Sequence, residues 1–594
     1  MMTKAVRFSW TLVGMFLLAG CVWPGDLDQS LISRYQRAML DVSPQKRMAG
    51  EGLGLLRPAQ SLPVGPALKA GQDPQTSRKQ IFLSLDEAVM RCLGNSQDIQ
   101  VVSYDPAVAR EDLIQAAAEF DAVAFAGFSY DETDKRVNST FQGGHSQTNV
   151  FQAGIKQRTI TGAQAALTWS WTRQWSNVNK AFQRFDLSYE PTLGLEITQP
   201  LLRDGWPEVN LARFRVAALN EKSTTQAFRQ KVEETMNELI TTYWQLVQSR
   251  RDYDIVKDLL DAGIETHAIN EKRIHLDASQ VNIQQSKAAV ESRRASLLQS
   301  GKLIKDLQDK LVRLMADKEI SMLGDYDLIP ASELVTAEIK IDPSDQLVTG
   351  LKHNPVMEQA RLAIQAADIT VRVAQNQTLP RLDLKVTGEL QGMGGSPSDA
   401  EKNIEGGNNA SSSVALSLEY PLGNREKEAD LRKRRYERLK SIAVLQNLAD
   451  QLAVAVKERV RQIETSFQVV QAQHRAAEAA RAQLQALVVR LEAVGAMSPT
   501  ENQLKLQSQE LLAAARRAEL EAIVQYNVAQ ADLARVTGTV LRLHGVEVAL
   551  PAILKDAHLL GGSDLENVPP SRPASVSRPS GMARPVTEPA KIKP

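Results

Sequence analysis

The stretch LGLEITQPLLRDG, Leu193 to Gly205, alternates apolar and polar residues, reaches a proline and then turns charged. A looser copy, VALSLEYPLGNRE, does the same from Val414 to Glu426. Leu193, Leu195 and Ile197 alternate with Gly194, Glu196 and Thr198, as Val414, Leu416, Leu418 and Tyr420 alternate with Ala415, Ser417 and Glu419. Period-two alternation means a strand with one apolar and one wet face. Its length suits either a soluble sheet with a buried face or a transmembrane β-strand of about 9–11 residues. The two prolines, Pro200 and Pro421, are 221 positions apart (421 minus 200).

The copies belong to a larger duplication, and repeats decide a fold more than any local reading. AVMRCLGNSQDIQV matches TGLKHNPVMEQA, with Asn95 over Asn354, and QAAAEFDAVAFAG matches VAQNQTLPRLDLKV, with Asp121 over Pro380; both offsets are 259. The offset falls to 221 at the prolines and is 218 between Asp277 and Gly495. The first copy therefore carries about 38 extra residues between Asp121 and Pro200. They contain a hairpin candidate, FQAGIKQRTITGAQAALTWSW, with its turn at Thr161-Gly162. Leu167, Trp169 and Trp171 share one face; Trp169, Trp171 and Trp175 make either an aromatic belt at a membrane interface or the cap of a soluble hairpin.

Each copy runs helix, strand, loop, strand, very long helices. From Arg425 to Leu491 there is neither proline nor glycine, and about 65 residues at 1.5 Å each make a rod of about 100 Å. A second run, Glu501 to Val536, follows the turn VGAMSPT, and the first copy has an equivalent pair around LDASQ. Such pairs are antiparallel hairpins packing as coiled coil.

The 594 residues carry 70 basic and 70 acidic side chains, so no basic excess points to a nucleic-acid partner. Only 5% are aromatic against 43% hydrophobic, which favours long helices over a ring-lined cleft. The two cysteines make no disulfide framework, and the seven histidines show no metal-ligand spacing. No nucleophile elbow, P-loop or dinucleotide fingerprint is present, so neither catalysis nor a cofactor is expected. Cys92 reads as a packing residue, Tyr243, Trp244 and Trp206 as packing residues or interface anchors, and Arg432-Lys433-Arg434-Arg435 as a solvated helical face.

At the N-terminus, Lys4 and Arg7 precede a short apolar run that ends in Leu18-Ala19-Gly20-Cys21. The run is right for a secretory signal and too short for a transmembrane helix. LAGC resembles the lipobox of bacterial lipoproteins, which implies a covalent lipid on Cys21; Val22 after it favours sorting to the outer membrane. The organisation expected is a signal peptide at 1–20, a lipid-anchored arm at 21–77, a first repeat at 78–320 with its extra hairpin at about 145–175, a second repeat at 321–545, and a disordered Pro/Ser/Arg-rich tail at 546–594.

In order, LSLDEAVMRCLGNSQDI, YEPTLGLEITQPLLRDG, TYWQLV, HNPVMEQARLAIQAA, LPRLDLKVTGEL, YPLGNRE, RLEAVGAMSP and ARVTGTVL resemble the TolC-like outer-membrane efflux family, over roughly Leu83 to Gly538. The resemblance implies a mainly α protomer with four β-strands. Three protomers would form one twelve-stranded outer-membrane barrel, continued by a periplasmic tunnel of coiled-coil helices. Pro200 and Pro421 then mark the strand-to-helix corners, since a proline without an N–H ends a ladder.

The implied function is the outer-membrane channel of a tripartite efflux pump or type I secretion system, with a periplasmic membrane-fusion adaptor and an inner-membrane pump or ABC transporter as partners. The hairpin tips that would meet the adaptor fall on Leu276 and Asp277 in the first copy and on Val494, Gly495, Met497 and Ser498 in the second. Glu501 takes the family's acidic position, where three copies would ring a cation-favouring aperture; otherwise it is a solvated acid at a helix N-terminus. Asn282 stands at that position in the first copy. The alternative is a helical scaffold lipoprotein of the outer membrane without a pore.

Overall fold

The computed structural model describes residues 69–72, 79–138, 143–178, 183–273, 279–317, 319–320, 324, 326–406, 409–494 and 498–546. All lie in one of the chain's two compact units, Gly65–Ala549 with Arg572–Pro594. Cys21, Leu276, Asp277, Gly495 and Met497, the side chain of Val494, the signal segment and most of the tail lie outside the described residues.

The order begins with β1 (Lys69–Gln72), β2 (Lys79–Leu83), α1 (Leu85–Asn95) and α2 (Gln97–Ala117). Next come β3 (Val123–Asp134), β4 (His145–Arg158), β5 (Gln164–Ser176) and β6 (Leu187–Pro200). A short α3 (Pro207–Asn210) leads into α4 (Ala212–Lys272) and α5 (Gln280–Met315). The second copy follows as β7 (Tyr326–Pro330), α6 (Pro343–His353), α7 (Pro355–Gln377), β8 (Arg381–Gln391), α8 (Pro397–Glu405), β9 (Ala410–Glu419), α9 (Arg425–Val494), α10 (Pro499–Thr537) and α11 (Val540–Leu543).

The duplication is visible in the helix bounds. α1 and α2 begin at 85 and 97, and α6 and α7 at 343 and 355, an offset of 258 both times (343 minus 85, 355 minus 97). The starts of β3 and β8 repeat it (381 minus 123), one less than the sequence alignment had placed it. Asn354 explains its motif: its Oδ1 caps α7 by accepting from Val356 N–H at 2.8 Å, while its Nδ2 donates to Val536 O at 2.9 Å. Gly538 must be a glycine, because at φ +69 a Cβ would lie 2.6 Å from His353 O.

One expectation is corrected. The main sheet has six strands, ordered β3-β4-β5-β6-β8-β9, where four were expected. The hairpin in the 38-residue excess, β4 and β5, forms two of the six strands. It pairs antiparallel with β3 on one side and β6 on the other. The family pattern counts two strands per repeat, whereas these inserted segments have the length, alternation and partners to be strands themselves. A second sheet, β1-β2-β7, was not foreseen; β7 pairs parallel with β2, so the second copy's first strand completes the first copy's core. Ile81, Leu83 and Leu328 are fully buried there, against Met236, Leu239 and Tyr243 of α4.

α4 has 61 residues and α9 has 70, about 90 and 105 Å at 1.5 Å per residue. α4 packs along α5 and α9 along α10, and α7 packs on both α4 and α9. Alanine, leucine and valine at helical spacing supply the seams; Val456, Val460 and Ile463 of α9 close on Tyr526 and Ala529 of α10.

Candidate functional site: a two-faced sheet and the helical hairpin tips

Residues paired across antiparallel strands share a face. One row runs through all six strands as Ala126, Ala153, Trp169, Leu193, Leu390 and Ala410. Two positions along, a second row reads Ala124, Ile155, Leu167, Leu195, Gly388 and Ser412, and a third places Ile197, Val386 and Val414 together. Phe128, Phe151 and Trp171 begin a row on the other side of the first. This face is apolar, and it is uncovered: Phe128 is 71% exposed and Val414 72%.

The opposite face is polar. Its rows include Gln152, Ser170 and Thr192, and Lys156, Ala166, Glu196, Thr387 and Ser413. Lys385 Nζ lies 2.8 Å from Glu196 on it. Every residue of β9 is exposed, and among the described residues no other strand pairs with the outer edges of β3 and β9. Strands of 10 to 14 residues with one bare apolar face and open edges suit a barrel wall, where neighbours pair the edges and lipid covers the face.

The sheet enters the helices through a built corner. β6 ends on Pro200, after which Leu201 N–H donates to Leu382 O at 2.7 Å and Arg203 N–H to Pro380 O at 3.2 Å. Asp204 and Trp206 have φ of +61 and +75, and Asn210 Nδ2 bridges their carbonyls at 2.9 and 3.0 Å. The β4–β5 turn docks on this corner: Trp206 N–H donates to Thr161 O at 3.2 Å, and Arg158 donates to Asn210 Oδ1 at 2.8 Å while pairing with Glu119. The second corner is sparer. β9 ends at Glu419, Pro421 follows, and Asn424 Nδ2 donates to Thr378 O at 2.9 Å.

At the far ends of the long helices, the second helix of each hairpin opens on a serine cap. Ser279 caps α5 and Ser498 caps α10. Asn282 and Glu501 both stand three residues on, so the two sequence-matched positions take the same place in their helices. Glu501 completes a capping box, accepting from Ser498 N–H and from Ser498 Oγ, each at 3.0 Å. The backbone hydrogen bond, first among its contacts, holds this exposed carboxyl below the usual glutamate range.

Just above the tips, buried polar groups join the hairpins, and sequence reasoning missed them. Asn270 Nδ2 donates to Asn502 Oδ1 at 3.0 Å, and Asn502 Nδ2 donates to Gln285 Oε1 at 3.2 Å. Two turns along, Arg293 donates to Leu259 O at 3.0 Å, Gln509 Oε1 at 2.9 Å and Leu506 O at 3.2 Å, with Glu510 at 3.7 Å. Burial pushes this guanidinium below the ordinary arginine range. Gly263 makes the space, since a Cβ there would lie 2.8 Å from Arg293 Nη1. The signal available in sequence was polar residues falling on the inward stripe of a coiled coil.

The remaining singled-out residues are structural. Tyr243 Oη donates to Leu83 O at 2.9 Å and accepts from Ser332 N–H at 3.1 Å, fastening the small sheet to α4. Cys92 is buried, and burial pushes its thiol up to about 12, which leaves it inert. Arg432 pairs with Glu428 at 3.7 Å and Arg434 with Glu437 at 3.0 Å, as a solvated face would. Among the described residues no cluster of three His, Cys, Asp or Glu could hold a metal ion, and no helix is long and apolar enough to cross a membrane.

Residues 347–539 match the model of a family described as outer membrane efflux protein. No curated protein matches the chain in sequence. Solved structures match its fold. The outer-membrane channel OprN aligns with a TM-score of 0.57 at 16% identity, over 77% of this chain and 90% of its own. The outer membrane protein VceC of Vibrio cholerae aligns with a TM-score of 0.55 at 16% identity, over 76% and 96%. The open state of the MtrE channel of Neisseria gonorrhoeae gives 0.55 at 13% identity, over 81% and 97%. At such identities the likeness is one of fold, and it spans nearly the whole of each neighbour.

Proposed function

We propose that this chain, whose residues 347–539 carry the outer-membrane efflux protein domain, is a passive export conduit of the outer membrane. Three copies would close their sheets into one barrel, and the long helices would continue it as a tunnel into the periplasm. A lipid on Cys21 would anchor the N-terminal arm. Leu276, Asp277, Val494, Gly495, Met497 and Ser498 would meet a periplasmic adaptor, and an inner-membrane pump or ABC transporter would supply the energy. The chain would take the channel's place in a tripartite efflux pump or type I secretion system.

The observation that carries this reading is the sheet, apolar and bare on one face, polar on the other and open at both edges, joined to helices of 61 and 70 residues. A soluble sheet would cover its apolar face, and a lone sheet in lipid would leave edge N–H and C=O groups unpaired at several kcal/mol each. Closure among copies removes both faults.

The test is electron microscopy of the full chain extracted from outer membranes in mild detergent. A threefold particle with a detergent belt at one end and a long tube below it is expected. A monomer without a belt, released once its lipid is removed, would replace the conduit with a scaffold.

A further inference from the structure

We infer that the β4–β5 hairpin is a membrane-embedded insertion in the barrel wall, giving each protomer six strands and the three-protomer barrel eighteen, with a lumen wider than twelve strands allow. This rests on the conduit reading above and extends it to the pore's dimensions.

Four observations carry it. The ladder is unbroken: β4 pairs with β5 from Ser146↔Ser176 to Arg158↔Gln164, and β5 with β6 from Gln164↔Thr198 to Trp175↔Leu187. The hairpin's alternation is in phase with its neighbours, so Ile155 and Leu167 join the bare apolar face while Gln152 and Thr168 join the polar one. A register slip of one residue would have reversed that. The strands have 14 and 13 residues, as long as the rest of the sheet. Finally, the connection is a tight turn, with Thr159 N–H bonded to Ala163 O at 2.8 Å, seated against the strand-to-helix corner. Short turns on the periplasmic side are the habit of outer-membrane barrels.

Two extra strands keep the count even, so β9 of one protomer still meets β3 of the next antiparallel. Barrel diameter grows roughly linearly with strand number, so eighteen strands give a pore about 1.5 times as wide as twelve. No further tunnel helix accompanies the insertion, because the chain turns back at 159–163 without leaving the sheet. The barrel is therefore wider than the helical tube beneath it. The added wall contributes amide and hydroxyl groups, those of Gln152, Thr168 and Ser170, to the lumen.

The test is cysteine accessibility in the full-length channel reconstituted in bilayers, where native Cys92 is buried. Gln152→Cys and Thr168→Cys should react with a charged methanethiosulfonate and lower single-channel current. Ile155→Cys and Leu167→Cys should resist it and be quenched by a lipid-phase probe when labelled with a fluorophore. Ser417→Cys and Leu416→Cys on β9 serve as controls for the sheet itself. If the controls behave as wall residues while all four hairpin cysteines are water-accessible without effect on current, the hairpin lies outside the wall and the inference falls. If the β9 pair is also water-accessible on both faces, the conduit reading falls with it.

Discussion

Asn270 and Asn502 are both fully buried and lie 3.0 Å apart, Nδ2 to Oδ1, although they belong to helices of different hairpins. A buried amide pair inside a coiled-coil seam specifies register, because any slip strands its polar atoms in an apolar layer. With the Arg293–Gln509 contact two turns away, it fixes the α4–α5 hairpin against the α9–α10 hairpin near their ends.

Breaking the pair should loosen that end. Asn502→Ala leaves the Asn270 amide only its longer bond to Asn282 O, at 3.4 Å, at a cost of about 1–3 kcal/mol. The expected outcome is a lower thermal unfolding midpoint in detergent and more frequent or larger channel openings in bilayers. A cycle with Asn270→Ala should return a coupling of about 0.5–3 kcal/mol. Additive effects would mean that the two amides do not act together.

His474 Nδ1 lies 2.6 Å from Glu519 Oε1, and Glu478 stands 3.6 Å from its Nε2. The hydrogen bond to Glu519, first, and the charges of both carboxylates raise the imidazole above its ordinary 6.5. A raised histidine contributes stability that is fully present below the unfolded value and is lost as pH rises through the folded one. The link between α9 and α10 should thus weaken from about neutral pH upward. Titration of a carbon-13-labelled His474 ring should give a midpoint above 6.5 that falls back in Glu519→Gln; an unchanged midpoint in that variant would remove the contact.

The strands were legible because a sheet with one apolar and one polar face writes them as period two, and Leu193, Leu195 and Ile197 keep that period without a break. The hairpin's apolar face was legible too, in Leu167, Trp169 and Trp171. Its place was not, since Trp169 gains meaning only from Ala153 and Leu193, the residues beside it in the ladder, and pairing is non-local. The count of four came from the repeat, which the inserted strands do not obey. Arg293 and Asn502 were hidden for another reason: in helices rich in Gln, Asn and Arg, a buried polar residue looks like a solvated one until the partner helix is in place.

Gly162 sits in the β4–β5 turn at φ +87, and a Cβ there would lie 2.4 Å from Asp204 O and 2.7 Å from Asn210 Nδ2. Gly162→Ala should therefore both strain the turn and push it off the corner, at more than about 1 kcal/mol. Gly388, whose Cβ would meet nothing within 4 Å, is the control. The measurement is thermal stability of the extracted assembly: Gly162→Ala should lower the midpoint and Gly388→Ala should not. Equal midpoints would show that the turn does not bear on the corner.

Cys21→Ser should abolish incorporation of labelled palmitate. An acyl chain contributes roughly 0.8 kcal/mol per buried CH₂, but the sheet offers its own apolar band, so the variant should still need detergent for extraction. Release by salt or alkali would mean that the lipid alone held the protein.

Glu501 carries the last expectation. Its carboxylate already serves the helix, accepting from Ser498 N–H, and it remains exposed and ionised, held below the ordinary 4.5. Three such charges at a constriction would attract cations and repel anions. Glu501→Gln removes the charge, and glutamine still serves a capping box, so the fold should be spared. Cation preference in single-channel reversal potentials should weaken in the variant at neutral pH. In the wild type the sign follows from the lowered value: the charge, and the cap it strengthens, are present above 4.5 and are lost only as pH falls through the folded value below it. Selectivity should accordingly persist down to about pH 4.5 and fade beneath it. A variant with wild-type reversal potentials would leave Glu501 as a helix cap and nothing more.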